Sequence, residues 1–485
     1  MYENISIKLL NLKDSDLEIT NIVVVGHTKE IYIQKILSPH HCPLCQNRMY
    51  SKGIYKRSVN HPVMQDGFRI KLIVSQRRWK CTNPNCEYII TDKFSFLKKY
   101  MHNTNVTELL IVEAFRDPNV TAAQVARKFN VSDTFAIRTF QRYVDMHRRT
   151  LTEAICIDEV KVDIYKNCKY ALVIQDFITK EPIDILPSRR DEFTQSYFGG
   201  ISLKERSNVK YLVSDMYAPY SAYIDKYFFN AVHIVDSFHV VKWINSKILV
   251  YINALARRQK YKDEERHEKL EQEFKRKIEF VPSNEYYLLK HFHWIVLANN
   301  ENLDYQSPGR YNHKLRRYMD TAQYEHMLFD IAPELEKMRD LKEEYIRFNK
   351  RYLGRPNEAK VGLLQIIRTY RESDFKIFNE IADTLDSHFD AIINSFILID
   401  INKEKIRLSN GPMESLNRIP KDMKRNARGF KNWDIFRNRF LFSMRKNASI
   451  LGTPKSTKEV CFKIDRKRGS YAKSNPRLKN GHQLI

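Results

Sequence analysis

Apolar positions along this chain repeat at different spacings, and each change of spacing marks a change of architecture. Up to about residue 100, short stretches alternate between apolar and polar side chains, as over residues 68–74, which predicts strands. Over residues 104–148 the spacing becomes helical. Ala122, Val125, Ala126 and Phe129 share one face, Thr121 and Gln124 stand where a capping box would, and Asn130-Val131 supplies a turn. Ser132 then begins a second helix with Phe135, Ile137 and Phe140 inward. That is helix-turn-helix spacing. It leaves Asp133, Thr134, Arg138 and Gln141 facing outward, side chains of the kind that read base edges in a major groove. A helical hairpin that only packs is the alternative.

From Ala154 the pattern predicts strands over residues 155–163, 170–176 and 182–187, a helix over 192–201, a strand over 209–214, a helix over 218–227 and a strand over 231–235. This order is that of a ribonuclease-H-like fold, a mixed sheet with helices on its faces. After Phe238 the chain reads as helical and highly charged to about residue 400, as in KYKDEERHEKLEQEFKRK. Trp294, in HFHWIVLANN, is expected in the core of that region, with stacking on a displaced base as the alternative. A short SNGP turn opens the final basic helices. The fold class is therefore a multidomain mixture of α+β and α/β. Its parts are a zinc-binding module (1–100), a helix-turn-helix domain (101–150), the first part of a ribonuclease-H-like core (151–240), an all-helical insertion (241–402), the final helices of the core (403–450) and a basic tail expected to be disordered (451–485).

A chain of 485 residues is too long for one core, in keeping with several domains. Lys and Arg exceed Asp and Glu by 82 − 58 = 24, and residues 403–485 carry 22 basic against 6 acidic side chains, so +16 of the +24 lies there. A basic surplus concentrated in this way attracts polyanions and makes their binding salt-dependent. Lacking a long apolar run and the plan of a signal peptide, the sequence predicts no membrane span and no secretion. Seven cysteines, four of them in two close pairs, fit a reducing cytoplasm better than a secreted disulfide framework.

Those paired cysteines, Cys42 and Cys45 in CPLC and Cys81 and Cys86 in CTNPNC, are candidate ligands of a structural zinc ion. His40, His41 or His61 could replace one of them, and four unrelated buried thiols are the alternative. Arg77, Arg78 and Trp79 lead into the second pair and suit a DNA-facing finger.

Carboxylates carry the other candidate chemistry. Asp158, in ICIDEVKVD, follows two apolar residues of a strand, where an unpartnered charge would be costly to bury. Asp215, in YLVSDMYAPY, ends a strand, and adjacent central strands would bring the two together. Two Mg²⁺ or Mn²⁺ ions held by such groups activate oxygen nucleophiles and relieve phosphate charge, as phosphodiester chemistry requires. Glu159 is expected on the opposite sheet face. Asp236, in HIVDSFHVVK with His239 close by, is a further candidate ligand. Glu414, in SNGPMESLNR, reads on its own as a solvated helix start. Arg418 lies four residues beyond it, and Lys421, Lys424, Arg425 and Arg428 continue a basic track suited to phosphates. Pro420 predicts a kink at Ile419 or a short helix.

The segments ICIDEVKVD, VSDMYAPYSAYIDKYFFNAVHIVDSFHVVKWIN and LSNGPMESLNRIPKDMKRNARGFKNWDIFRNRF resemble the ISL-three family of bacterial insertion-sequence transposases. The cysteine pairs and helix-turn-helix match that family's layout, so the resemblance runs from about residue 40 to 445. It implies that Asp158, Asp215 and Glu414 correspond to an acidic catalytic triad and Asp236 to a supporting position. It also implies double-stranded DNA as partner, both transposon ends and target, two divalent cations per site, assembly of copies in a synaptic complex and a place at the nucleoid. A non-cutting DNA-binding regulator and a structure-selective nuclease are the rival readings.

Overall fold

The computed structural model describes residues 10, 12, 14–38, 40–65 and 67–462. The chain forms two compact units, one of residues 1–147, 164–167 and 419–485, the other of residues 148–163 and 168–418.

In the first unit, strands β1 (Leu17–Val25), β2 (Thr28–Lys35), β3 (Met49–Gln65), β4 (Phe68–Cys81) and β5 (Ile89–Thr91) make one sheet in the order β1-β2-β4-β3, with β5 on β4. Along β4, Ile70, Leu72 and Val74 alternate inward onto Ile33, Val59, Phe94 and Phe96, the period of two that a half-buried strand requires. Helices α1 (Asn105–Ala114), α2 (Ala122–Phe129) and α3 (Asp133–Tyr143) follow. The Thr121/Gln124 capping box forms, Asn130 turns the chain in the left-handed conformation, and the Ser132 side chain accepts the Phe135 N–H. The buried face of α3 is Ala136, Thr139, Phe140 and Tyr143; Phe135 and Ile137 are only half-buried. Glu108 is almost wholly buried, and it is matched by Arg142 at 2.9 Å, Lys98 at 2.6 Å and the Tyr143 hydroxyl at 2.7 Å. The helix Trp433–Met444 packs in the same unit, with Phe442 edge-on to Phe140.

The tail differs from expectation at its start. Leu451 and Lys455 donate their backbone N–H groups to Tyr143 and Arg142, and Thr457–Phe462 is a helix. Residues 463–485, also expected to be disordered, lie outside the described residues.

The second unit is built on β6 (Ala154–Tyr165), β7 (Cys168–Asp176), β8 (Pro182–Leu186), β9 (Tyr211–Ser214) and β10 (Val232–Val235), in the order β10-β9-β6-β7-β8. β9 is parallel to both β10 and β6, whereas β7 and β8 are antiparallel. The first four residues of β6 are all buried, as in a central strand covered on both faces, and only beyond Glu159 does the strand alternate. Helices α4 (Asp191–Gly199), α5 (Leu203–Ser207) and α6 (Ala218–Tyr227) connect the strands, and Phe198, Tyr220, Tyr223 and Tyr227 pack with Ile155, Ile157 and Leu212.

From the end of β10, the 38-residue α7 (Ser237–Phe274) runs out, about 57 Å at 1.5 Å per residue. Val240, Ile244, Ile248, Ile252 and Ala256 recur every four residues on its buried stripe. They share a core with α8 (Asn284–His291), α9 (Trp294–Leu297), α10 (Thr321–Ile331), α11 (Glu334–Arg351), α12 (Pro356–Glu372), α13 (Lys376–Ser387) and α14 (Phe389–Asn394). Two small hairpins interrupt this helical stretch, β11 (Arg310–Asn312) with β12 (Arg317–Met319) and β13 (Leu398–Ile401) with β14 (Glu404–Arg407). Trp294 departs from expectation: it is 46% exposed, while its neighbours Ile295 and Val296 are buried in its place. Helix α15 (Gly411–Asn426) then carries Glu414. Its helical residues continue through Pro420 to Asn426, so it is not the short helix that Pro420 could imply. Among the described residues no helix is long and apolar enough to cross a membrane.

Candidate active site

The strand register sets three aspartates level. Ala154 pairs with Tyr211, and Tyr211 with Val232; four residues further along the chain in each case stand Asp158, within β6, and Asp215 and Asp236, the first residues past β9 and β10 (154 + 4, 211 + 4, 232 + 4). Three adjacent chain segments thus each present a carboxylate at the same end of the sheet, where parallel strands open their crevice.

Each is held differently. Asp158 Oδ1 accepts the N–H of Glu159 at 2.7 Å, and Oδ2 accepts the side-chain amide of Asn417 at 2.8 Å. Burial, reinforced by the neighbouring Asp215 charge, raises the Asp158 carboxyl to about 6. Asp215 Oδ1 accepts the Tyr217 N–H at 3.0 Å. Asp236 is buried; it caps α7 through the Phe238 N–H at 3.0 Å, and its Oδ2 accepts the backbone N–H of Asn410 at 2.7 Å. Glu159 points elsewhere, as expected, and is engaged by Arg189 and by the Tyr220 hydroxyl at 3.2 Å. The Arg189 guanidinium in turn lies 4.1 Å from the Tyr217 ring centre.

Glu414 approaches from α15. Asn410, Glu414 and Asn417 are spaced four and three apart, so they share one helix face. Asn410 meets Asp236 and Asn417 meets Asp158, which sets the Glu414 side of the helix against the ends of β6 and β10. Glu414 is partly exposed, and Lys242 of α7 lies 4.0 Å from its Oε1. His239, in the first turn of α7, lies 3.5 Å from the Asn410 amide and favours the charged form of Asp158.

The donor set is carboxylate oxygen, hard and anionic, which fits Mg²⁺ or Mn²⁺ rather than a soft metal. The three carboxylates are not gathered as tightly as a mononuclear cage. Among the described residues, only the four cysteines form a group of three or more potential ligands all within 4.8 Å of one another. Ligands shared by two ions about 3.5–4 Å apart need not touch each other.

At the cysteine cluster, Cys42 and Cys86 sulfurs are 3.7 Å apart and Cys45 and Cys81 sulfurs 3.4 Å. A zinc–sulfur length near 2.3 Å requires tetrahedral edges of about 3.8 Å, so these four thiols could hold zinc. The Cys45 thiol is drawn down to about 6, chiefly by the Asn47 backbone and then by Cys81, whereas burial pushes Cys81 up to about 12 and Cys86 is raised as well, so without a metal the group favours a single thiolate, at Cys45. Among the described residues no histidine joins this group; His40 stacks on Trp79 at 4.4 Å, and the buried His61 meets Thr104 at 3.1 Å.

Of the candidate DNA contacts, Asp133, Thr134 and Arg138 are exposed on α3. Gln141 is not with them; it is half-buried, and its enclosed Oε1 has no partner among the described residues. Helix α3 therefore buries a wider face than its apolar residues alone indicate. On and beyond α15, Arg418, Lys421, Arg425 and Arg428 are exposed and Lys424 is half-buried; Arg425 is paired with Asp422 at 2.9 Å. Asn410 and Asn417 escaped the reading of the sequence as site residues, although their fixed spacing from Glu414 in SNGPMESLN was the available signal.

Residues 155–440 match the family model of ISL-three DDE transposases, described as a transposase. Over 423 residues the chain is 21% identical to the transposase for insertion sequence element IS1001 of Bordetella parapertussis, covering 85% of this chain and 90% of that protein.

Proposed function

Because the chain belongs to the ISL-three family of DDE transposases, we propose that it binds the terminal inverted repeats of an insertion sequence and cleaves and transfers DNA strands with the help of divalent metal. Asp158, Asp215 and Glu414 are the catalytic carboxylates. The observation that carries this reading is the level placement of Asp158 and Asp215 on adjacent parallel strands, with the Glu414 helix tied to the same end. Two Mg²⁺ or Mn²⁺ ions held there would supply an activated oxygen and relieve charge on the phosphate. Asp158 and Asp215 orient the ligand oxygens from the sheet, Glu414 closes the site from the helix, and Asp236 fixes the helix rather than serving as a primary ligand. Hydrolysis frees a 3′ hydroxyl, which then attacks a target phosphodiester and displaces its 3′ oxygen, with no covalent enzyme intermediate.

The strand order β10-β9-β6-β7-β8 supports a ribonuclease-H-like core interrupted by the helical insertion. The capped pair α2–α3 acts as a helix-turn-helix, with Asp133, Thr134 and Arg138 toward the bases. Together with the zinc-stabilised module it holds the terminal repeat, while Arg418, Lys421, Lys424, Arg425 and Arg428 meet phosphates. Gln141 supports α3 from its packed side. Pairing two ends calls for two or more copies, and the whole acts at the nucleoid in the cytoplasm. Incubating the purified chain with a labelled fragment that ends in its element's inverted repeat tests this: Mg²⁺-dependent cleavage at the repeat is expected. Binding without cleavage in either Mg²⁺ or Mn²⁺ would leave a DNA-binding regulator.

A further inference from the structure

Asn417 is 5% exposed, and its amide N–H holds Asp158 Oδ2 while the Glu159 backbone holds Oδ1. The plane of that carboxylate is thereby fixed from both sides. An ionised carboxylate only accepts hydrogen bonds, so Asn417 must present its nitrogen to Asp158 and turn Oδ1 away. That Oδ1 is buried and meets no donor among the described residues. Asn410, fully buried at the other side of Glu414 on the same helix face, also has a buried Oδ1 without a donor among them. Unsatisfied buried acceptors are costly, and two of them flanking one carboxylate call for donors of the kind that water supplies. A hydrated cation carries such donors in its coordinated waters.

Resting on the carboxylate-site reading above, we propose that Asn417 is a positioning residue of the cation site: its Nδ2 orients Asp158, and its Oδ1 accepts a hydrogen bond from a water on the bound cation. Partners of this kind, which orient a metal's ligands without touching the metal, typically govern ten- to a hundredfold in affinity.

The test is Mn²⁺ binding by the full chain without DNA, followed by the paramagnetic resonance of free Mn²⁺, beside thermal melting in chelator. Wild type, Asn417→Ala, the volume-matched Asn417→Leu and Asp158→Ala are compared. Both Asn417 variants are expected to bind Mn²⁺ at least about tenfold more weakly while melting as wild type does in chelator. Affinities within twofold of wild type, with Asp158→Ala unable to bind, would overturn the proposal and leave the carboxylate site standing. Affinity lost only in step with melting temperature in both variants marks a packing role and overturns it as well. Wild-type binding by Asp158→Ala would remove the carboxylate site itself, and the proposal with it.

Discussion

Asp236 accepts the backbone N–H of Asn410 at 2.7 Å, across 174 residues of sequence, while its other oxygen caps helix α7. One buried carboxylate thus fixes both the start of the long helix and the turn that launches α15. Replacing it with alanine removes a cap and leaves a buried N–H without a partner, a loss of about 2–4 kcal/mol. Glu414 begins four residues after Asn410, so DNA cleavage should fall along with stability. Urea unfolding and a cleavage assay on Asp236→Ala check both; a variant as stable as wild type would show that the tie carries no load.

Ionised Asp158 is the form that serves a cation, and burial with the Asp215 charge raises its carboxyl to about 6. The apparent affinity for the divalent cation should therefore weaken as pH drops below about 6, because the cation must then displace that proton. The sign for stability is opposite to that of a salt-bridged aspartate. The folded state takes up the proton more readily than the unfolded chain, whose carboxyl titrates near ~3.9. The stabilisation is complete below that lower value and disappears as pH rises through 6. Without divalent cations, Asp158→Asn should therefore be the more stable protein at pH 8, by up to ~2 kcal/mol. Equal or lower stability in chemical denaturation would contradict the burial argument.

How much of this was legible in the sequence depends on the range of the interaction. The capping box at Thr121, the alternation in β4 and the buried run of β6 are local, and their residues announce them. The levelling of Asp158 with Asp215 was also accessible, because parallel neighbours in one sheet carry a constant offset. The partners of Asn410 and Asn417 were not, since 174 and 259 residues separate donor from acceptor and no periodicity records such a meeting. Trp294 misled for a related reason. An apolar neighbourhood is a weak prior, and tertiary packing decided that the Trp294 ring stays half out.

The four-cysteine cluster makes a separate prediction. Protein purified without chelator should carry one zinc per chain, measured by atomic absorption. Cys81→Ser, which removes a buried thiol, should lower that content and the melting temperature of the strand-rich unit, whose small cysteine-side core gathers Met49 and Trp79. Zinc-free protein with an unaltered melting curve would mean that these thiols merely pack.

The carboxylate account is tested most directly by the Asp215→Ala chain, assayed for end binding and for Mg²⁺-dependent nicking of a labelled inverted-repeat fragment. Binding close to wild type with no detectable nicking is the predicted result. Nicking at a wild-type rate would contradict the assignment of catalysis to the ends of β6 and β9.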